Sequence, residues 1–287
     1  MDSGNYHYKK RSPCSFVLLL SVFLLCLPCS LAHAESTDEI KIDWATDGGL
    51  TGSTGVLWIT FELMKDYIAP DKCVWCQTNE MDETITDSLS WPTPSYAAKT
   101  ADAVAFGAVP ALAFGALALS SGLEDRIGNF GADALLLAES LTISSLVNQF
   151  VKFGVGRARP FTIRNDPNMY KDRADDNLSF YSGHTNMAFV LVVSAGTIAH
   201  IRNYDAEPYI WGFGIPVALL VAYARIAAQK HYFTDVLIGA VVGSAIGFAV
   251  PWLHRNTSKS SKKTSDPGAQ DLSVGMGRNM ISFSGHF

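Results

Sequence analysis

The chain has 287 residues, enough for one large domain or two small ones, and carries 48% hydrophobic against 17% charged residues. Its net charge of -5, with the basic residues gathered mainly in one stretch, excludes a nucleic-acid binder by electrostatics. A mean hydropathy of +0.15 leans towards membrane contact.

Residues 1–34 read as an export signal, with Lys9-Lys10-Arg11 as its positive start, Phe16 to Leu27 as its apolar core and Ala32-His33-Ala34 as its cleavage site. The mature chain is expected to begin at Glu35. A retained anchor is the alternative, because Ser12 to Ala34 carries no formal charge. Removal of the signal takes away Cys14, Cys26 and Cys29 and leaves Cys73 and Cys76, whose spacing in an oxidising compartment predicts a local disulfide.

Gly48 to Ala69 mixes Trp58, Phe61 and Leu63 with Glu62, Lys65 and Asp66, so it reads as an amphipathic helix that lies on something rather than crossing a bilayer. Asp71 to Ser95 reads as a polar linker with Pro92 and Pro94. Ala103 to Leu123 then runs 21 residues without a charge, long enough to span, with a kink expected at Pro110. Ala132 to Phe153 holds Asp133, Glu139, Asn148 and Gln149, and must turn that polar face towards protein. Thr185 to Ala199, Tyr209 to Ala224 and Val236 to Leu253 are further apolar helices, all short for a span, which keeps a soluble bundle open. Gly239, Gly243 and Gly247 share one helix face and predict close packing. The tail is polar from Asn256 to Asp271, and Leu272 to Phe287 reads as an extended end. The fold class is therefore all-α, with six helical segments.

Three polar clusters interrupt the apolar sequence between Lys152 and Asp235. They are Lys152-Phe-Gly-Val-Gly-Arg157-Ala-Arg159-Pro160, Ser179-Phe-Tyr-Ser182-Gly183-His184 and Arg225-Ile-Ala-Ala-Gln-Lys-His231-Tyr-Phe-Thr-Asp235. Fixed cations beside an apolar core are costly unless they share an anion, and a phosphate ester is the natural one. His231 and Asp235, four apart on one helix, place a carboxylate where it can accept the ring N–H and leave the other nitrogen as a nucleophile. Arg225 needs a turn near Gln229-Lys230 to reach the same ligand. His184 follows Ser182-Gly183 at a helix start, where backbone N–H groups point at an anion.

The order and internal spacing of these clusters resemble the signature of the type 2 phosphatidic acid phosphatase and vanadium haloperoxidase superfamily. Two positions depart from it: Tyr181 where the family usually has Pro, and Ala224 where it usually has Ser. The resemblance implies a six-helix bundle and a phosphatase. Its expected catalytic residues are His231 as nucleophile, His184 as general acid and Asp235 as orienting carboxylate. Lys152, Arg159, Ser182, Gly183 and Arg225 are expected to hold the phosphate, with no metal and no cofactor. The expected organisation is a signal peptide over 1–34, an N-terminal helix and Cys-containing linker over 35–96, a phosphatase core over 97–255 and a tail over 256–287. Arg157, Arg164, Lys171 and Arg173 read as a solvated loop face, and His200 and His254 as interface or surface histidines.

An exported Glu35 followed by five crossings delivers all three clusters to one face and leaves Arg255, Lys259, Lys262 and Lys263 on the cytoplasmic side. The expected location is thus the inner membrane with a periplasmic site, a soluble periplasmic bundle being the alternative. The expected substrate is a phosphorylated lipid or a small phosphoester. A vanadium-dependent haloperoxidase and a non-catalytic anion-binding membrane protein are the competing readings.

Overall fold

The computed structural model describes residues 39–164, 174–256, 273–277 and 280–284. The expected signal segment, Lys171, Arg173 and the tail lysines lie outside the described residues. The fold is an all-α bundle of α1 (Trp44–Leu63), α2 (Glu80–Leu89), α3 (Pro94–Leu123), α4 (Phe130–Val155), α5 (Gly183–Arg202), α6 (Glu207–Ala227) and α7 (Phe233–Leu253). A two-residue strand β1 (Glu39–Ile40) pairs with β2 (Arg255–Asn256), and the tail forms a hairpin of β3 (Ser273–Gly277) and β4 (Met280–Ser284).

Each expected helical segment is present, and α2 is an addition inside the stretch read as a linker. Its start was visible in the chain. Asn79 caps it by accepting the Asp82 N–H at 2.8 Å, and Glu80, Asp82 and Glu83 in the first turn suit the positive end of the helix dipole. In α3 the residues Val104–Ala108 form a π-turn just before Pro110, which places the ring's missing donor at a local widening of the helix.

The nearly fully buried α5 is the centre of the bundle. On α7, a methyl group added at Gly239, Gly243 or Gly247 would come within 2.8, 2.5 and 2.6 Å of the carbonyl oxygens of Ser182, Asn186 and Val190. Glycine at these positions therefore sets how closely α7 lies on α5. The polar face of α4 turns inward as expected: Asp133 meets Arg202 and Tyr204, Ser140 meets Ser194, and Ser144 donates to Asn186. Outward stand Phe106, Leu119, Phe150, Phe213, Leu220, Val241 and Phe248. Five helices, α3 to α7, are long and apolar enough to cross a membrane, and an apolar exterior of this kind is that of a membrane protein.

What α1 lies on is α4, in parallel and along its length. Trp44 faces Gly131, Thr54 donates to Thr142 at 2.8 Å, and Phe61 packs on Phe150 with ring centroids 5.1 Å apart. Ile40 is thereby held beside Arg255, at the end where α7 finishes. β1 and the three clusters therefore lie at opposite ends of the bundle, while Glu35, from which the expected parity was counted, lies outside the described residues.

Candidate active site

The three clusters converge where α4 and α6 end and where α5 and α7 begin. Lys152 stands in the last turn of α4, which stops at Gly156 in the left-handed region with φ 55°. A side chain there would be strained and would also meet Val74 at 2.9 Å. Beyond α6, Gln229 turns left-handed with φ 54° and the Lys230 N–H returns to the Arg225 carbonyl, which is the reversal expected before His231.

His231 is buried, and its Nδ1 lies 2.7 Å from the carbonyl oxygen of Ser179. A carbonyl only accepts, so Nδ1 carries the proton and Nε2 keeps its lone pair. Asp235 is not the direct partner expected from the i,i+4 spacing, since its carboxylate stands 3.9 Å from that Nδ1. It accepts instead from Ser179 Oγ at 2.6 Å, from Arg157 at 2.6 Å and from the Tyr232 N–H at 2.9 Å. Asp235 therefore acts on His231 through Ser179: it fixes the residue whose carbonyl fixes the ring. The physical reason is that Asp235 serves its own helix start, and its oxygens are taken up there. Burial, reinforced by the charges of Arg159, Arg225 and Lys152, holds the His231 pKa well below the usual 6.5, so the ring is neutral at pH 7.

Gly183 lies against Lys152 and Asn148: a methyl group on it would come to 3.3 Å of Lys152 Nζ and 2.9 Å of Asn148 Oδ1. Asn148 also donates to the Tyr181 carbonyl at 2.8 Å, tying α4 to the loop before α5. Ser182 caps α5 and sends its N–H to the Asp235 carbonyl at 3.0 Å. Arg225 is buried, and its Nε has no hydrogen-bond partner. Arg159 turns to Asp175, whose backbone oxygen and carboxylate it meets at 2.9 and 3.0 Å. Burial opposes ionisation of Asp175, yet Arg159, Lys152, Lys65 and Lys230 hold its carboxyl well below the usual carboxylate range. Lys230 stacks on the Phe161 ring at 4.5 Å, and burial with Arg159 and Arg225 brings its ammonium down to about 8.

His184 meets a partner that sequence reasoning missed. Its Nε2 lies 2.8 Å from Asp102 Oδ1, an oxygen that also accepts from Arg225 at 3.3 Å. A carboxylate accepts, so His184 donates from Nε2 and presents Nδ1 to a ligand. The signal available was Asp102 itself, a carboxylate one residue before a 21-residue apolar run.

Arg157 is not on a solvated loop face. It is 1% exposed and sandwiched between Trp75 and Tyr232, 4.2 Å from each ring centroid. Its guanidinium bridges Asp82 at 2.8 Å and Asp235 at 2.6 Å. Burial alone would raise the Asp82 pKa, but the bonds from Arg157 and Thr234 hold it below the usual carboxylate range. Cys73 and Cys76 form the expected disulfide, and the Val74 N–H and the Trp75 carbonyl bond to Gly156 and Ala158 beside Arg157. The disulfide loop thus buttresses the site's own end of the bundle.

Comparison with known proteins adds an independent line. The family model described as the PAP2 superfamily matches residues 133–259. The chain is 29% identical over 114 residues to the undecaprenyl-diphosphatase of Sulfolobus acidocaldarius, a match covering 40% of this chain and 52% of that one. It is 26% identical over 128 residues to human phospholipid phosphatase 2, covering 36% of this chain and 44% of that one. Lipid A 1-phosphatase of Porphyromonas gingivalis is 31% identical over 102 residues, or 36% of this chain and 19% of that one. The chain spans about half or less of the length of these relatives. Among solved structures, the transmembrane PAP2 type phosphatidylglycerolphosphate phosphatase from Bacillus subtilis aligns with a TM-score of 0.45 and 17% identity, over 72% of this chain and 94% of that one. The region that resembles the PAP2 superfamily, residues 133–259, holds every residue of the three clusters, from Lys152 to Asp235.

Proposed function

We propose that the protein is a phosphatase that hydrolyses a phosphate monoester or a lipid (pyro)phosphate through a phosphohistidine intermediate. The observation that carries this reading is the Ser179 carbonyl on His231 Nδ1, which aims an unprotonated Nε2 into a cluster of cations. Nε2 attacks phosphorus as the P–O bond to the leaving group breaks, and His184 delivers its Nδ1 proton to the departing oxygen. A water then gives that nitrogen a proton while its oxygen bonds phosphorus, the P–N bond breaks, and phosphate leaves with His231 restored. Lys152, Arg159 and Arg225, with Ser182 and the Gly183 N–H, hold the equatorial oxygens, and the unpartnered Nε of Arg225 is a donor available for this. The chemistry asks no metal of the site, since these fixed charges offset those that develop in the transition state.

A lipid substrate is favoured by the apolar exterior around the helix ends and by the relatives, which include a diphosphatase of undecaprenol and phosphatases of phospholipid and lipid A. The site is proposed to face the periplasm. A disulfide at its end of the bundle suits an oxidising compartment, and Arg255 at the other end, followed in the sequence by three lysines, suits a cytoplasmic face there.

The test is phosphate release by the purified protein from a panel of phosphatidate, polyprenyl pyrophosphate, lipid A phosphate and soluble esters. An acid-labile phosphoenzyme trapped from a labelled substrate should be absent in His231→Ala. Vanadium-dependent bromide oxidation without phosphate release from any substrate would replace the phosphatase with a haloperoxidase.

A further inference from the structure

At the end of the bundle away from the clusters, three residues from separate helices meet. Asp47 comes from the first turn of α1, Glu139 from the inward face of α4 and His254 from the residue closing α7. One ligand atom from each lies within 4.8 Å of the other two. His254 Nε2 stands 3.4 Å from Asp47 Oδ1 and 3.9 Å from Glu139 Oε2. His254 is 23 residues from His231 along α7, about 35 Å at 1.5 Å per residue.

We infer that Asp47, Glu139 and His254 form a binding site for a single divalent first-row metal ion, zinc fitting best, that staples α1, α4 and α7 together. Glu139 is in a costly state without an ion. Its residue is 3% exposed and its Oε2, aimed at the imidazole, has no hydrogen-bond partner. A buried carboxylate oxygen without a donor is among the costlier features a fold can carry, and an ion removes that cost. His254 is oriented as a ligand would be. Its Nδ1 lies 2.8 Å from the Val250 carbonyl and so donates there, turning Nε2 towards two carboxylates. A ligand histidine is typically held in this way, its second nitrogen on a backbone carbonyl and its free lone pair on the metal.

The spacing agrees with the donor set. Bonds of about 2.0–2.2 Å to a tetrahedral zinc put neighbouring ligand atoms about 3.3–3.6 Å apart. The Asp47–His254 separation of 3.4 Å falls inside that range, and the 3.9 Å to Glu139 closes with a small side-chain rotation. A divalent ion cancels the two carboxylate charges and leaves imidazole neutral, whereas an imidazolium alone leaves one negative charge uncancelled in a buried place. The Asp47 and His254 side chains are 11% and 18% exposed, so the fourth position opens to water. Because β1 pairs with β2 beside His254, and the Lys41 N–H bonds to its carbonyl at 2.9 Å, the ion would lock the start of the helical body to the end of α7. The role is structural and separate from turnover.

The test uses the full chain in detergent, stripped with chelator, dialysed, and titrated with zinc chloride while bound metal and thermal unfolding are measured. One zinc per chain and a raised unfolding temperature are expected. His254→Ala should weaken zinc binding by more than about 100-fold, beyond the effect of losing an outer-shell partner. Should that variant fail to fold, Asp47→Asn, which keeps the shape of a partly exposed side chain, should lose the zinc-dependent rise in unfolding temperature. Phosphate release measured on the folded variants should stay at the parent level, which separates this inference from the phosphatase reading. No stoichiometric zinc, or the same affinity in parent and His254→Ala, overturns the site and leaves an imidazolium–carboxylate cluster in its place.

Discussion

Asp102 Oδ1 accepts a hydrogen bond from His184 Nε2 at 2.8 Å and another from Arg225 at 3.3 Å, so one carboxylate in the third turn of α3 joins the proposed acid to a proposed phosphate-binding cation. Neither partner lies on α3, and the contact exists only because α3, α5 and α6 bring these ends together. Asp102→Asn keeps the shape but removes the charge. It should lower kcat on alkyl phosphates by about 10- to 100-fold, part of what a general acid contributes, and affect nitrophenyl phosphate much less. Equal losses on both substrates would assign Asp102 to binding through Arg225 alone.

The two histidines should separate by the step each serves. His231→Ala should show neither turnover nor phosphoenzyme, while His184→Ala should slow turnover by about 100-fold or more and still form phosphoenzyme from substrates with good leaving groups. Parent-level activity in His231→Ala would remove the nucleophile from the proposal.

Asp82 and Arg157 form a fully buried ion pair, and breaking such a pair from one side strands the other charge. Asp82→Ala should cost about 3–5 kcal/mol of stability, read from denaturant or thermal unfolding. Because the folded pKa of Asp82 lies below its usual 3.8, its stabilising contribution is complete above pH 3.8 and is lost as pH falls through the lower folded value. The parent should therefore resist mild acid, and a loss under about 1 kcal/mol in the variant would contradict the buried pair.

The pH profile of kcat/KM should have a displaced acid limb and an alkaline limb near 8. Depression of the His231 pKa keeps the nucleophile unprotonated well below pH 6.5, so activity should persist into that range. Lys230, brought down to about 8, loses its charge as pH rises through that value and with it an attraction for the phosphate. Because His184 must also hold its second proton to act as acid, Lys230→Arg, charged throughout, should remove only the limb near 8 that Lys230 contributes; an unchanged limb would assign it to His184 alone.

Orientation is testable with cysteines at the two ends. Glu80→Cys on α2 should react with an impermeant reagent added outside the inner membrane, and Asp205→Cys between α5 and α6 only after permeabilisation. With β1 and β2 paired, a periplasmic site in a spanning bundle puts residue 39 on the cytoplasmic face, and a cleaved, exported start in a spanning bundle puts the site there instead. Labelling of both ends from outside would mean that the bundle does not cross.

Much of this protein is legible from residue types and spacing alone. Apolar runs at helical length predicted α3 to α7, because a helix that hides a face from water or meets lipid must show it in its own sequence. Lys152, Arg159, His184, Arg225 and His231 stand out because cations and imidazoles are rare in such runs. Gly239, Gly243 and Gly247 announced the seam with α5 by their spacing, and Cys73-Val-Trp-Cys76 its own disulfide. What only the tertiary structure decided are the partnerships between distant elements. Asp82, Asp102 and Glu139 are ordinary carboxylates in the sequence, two of them in or beside polar stretches, and nothing local says that they meet Arg157, His184 and His254. The i,i+4 spacing put Asp235 on the right face of α7 but not on His231, because spacing defines reach and the competition for hydrogen bonds defines partners. Ser179, Arg157 and the Tyr232 N–H occupy the carboxylate first. The direction of α1 was likewise undetermined by its composition, since an amphipathic helix records that it has a face to bury and not which neighbour buries it.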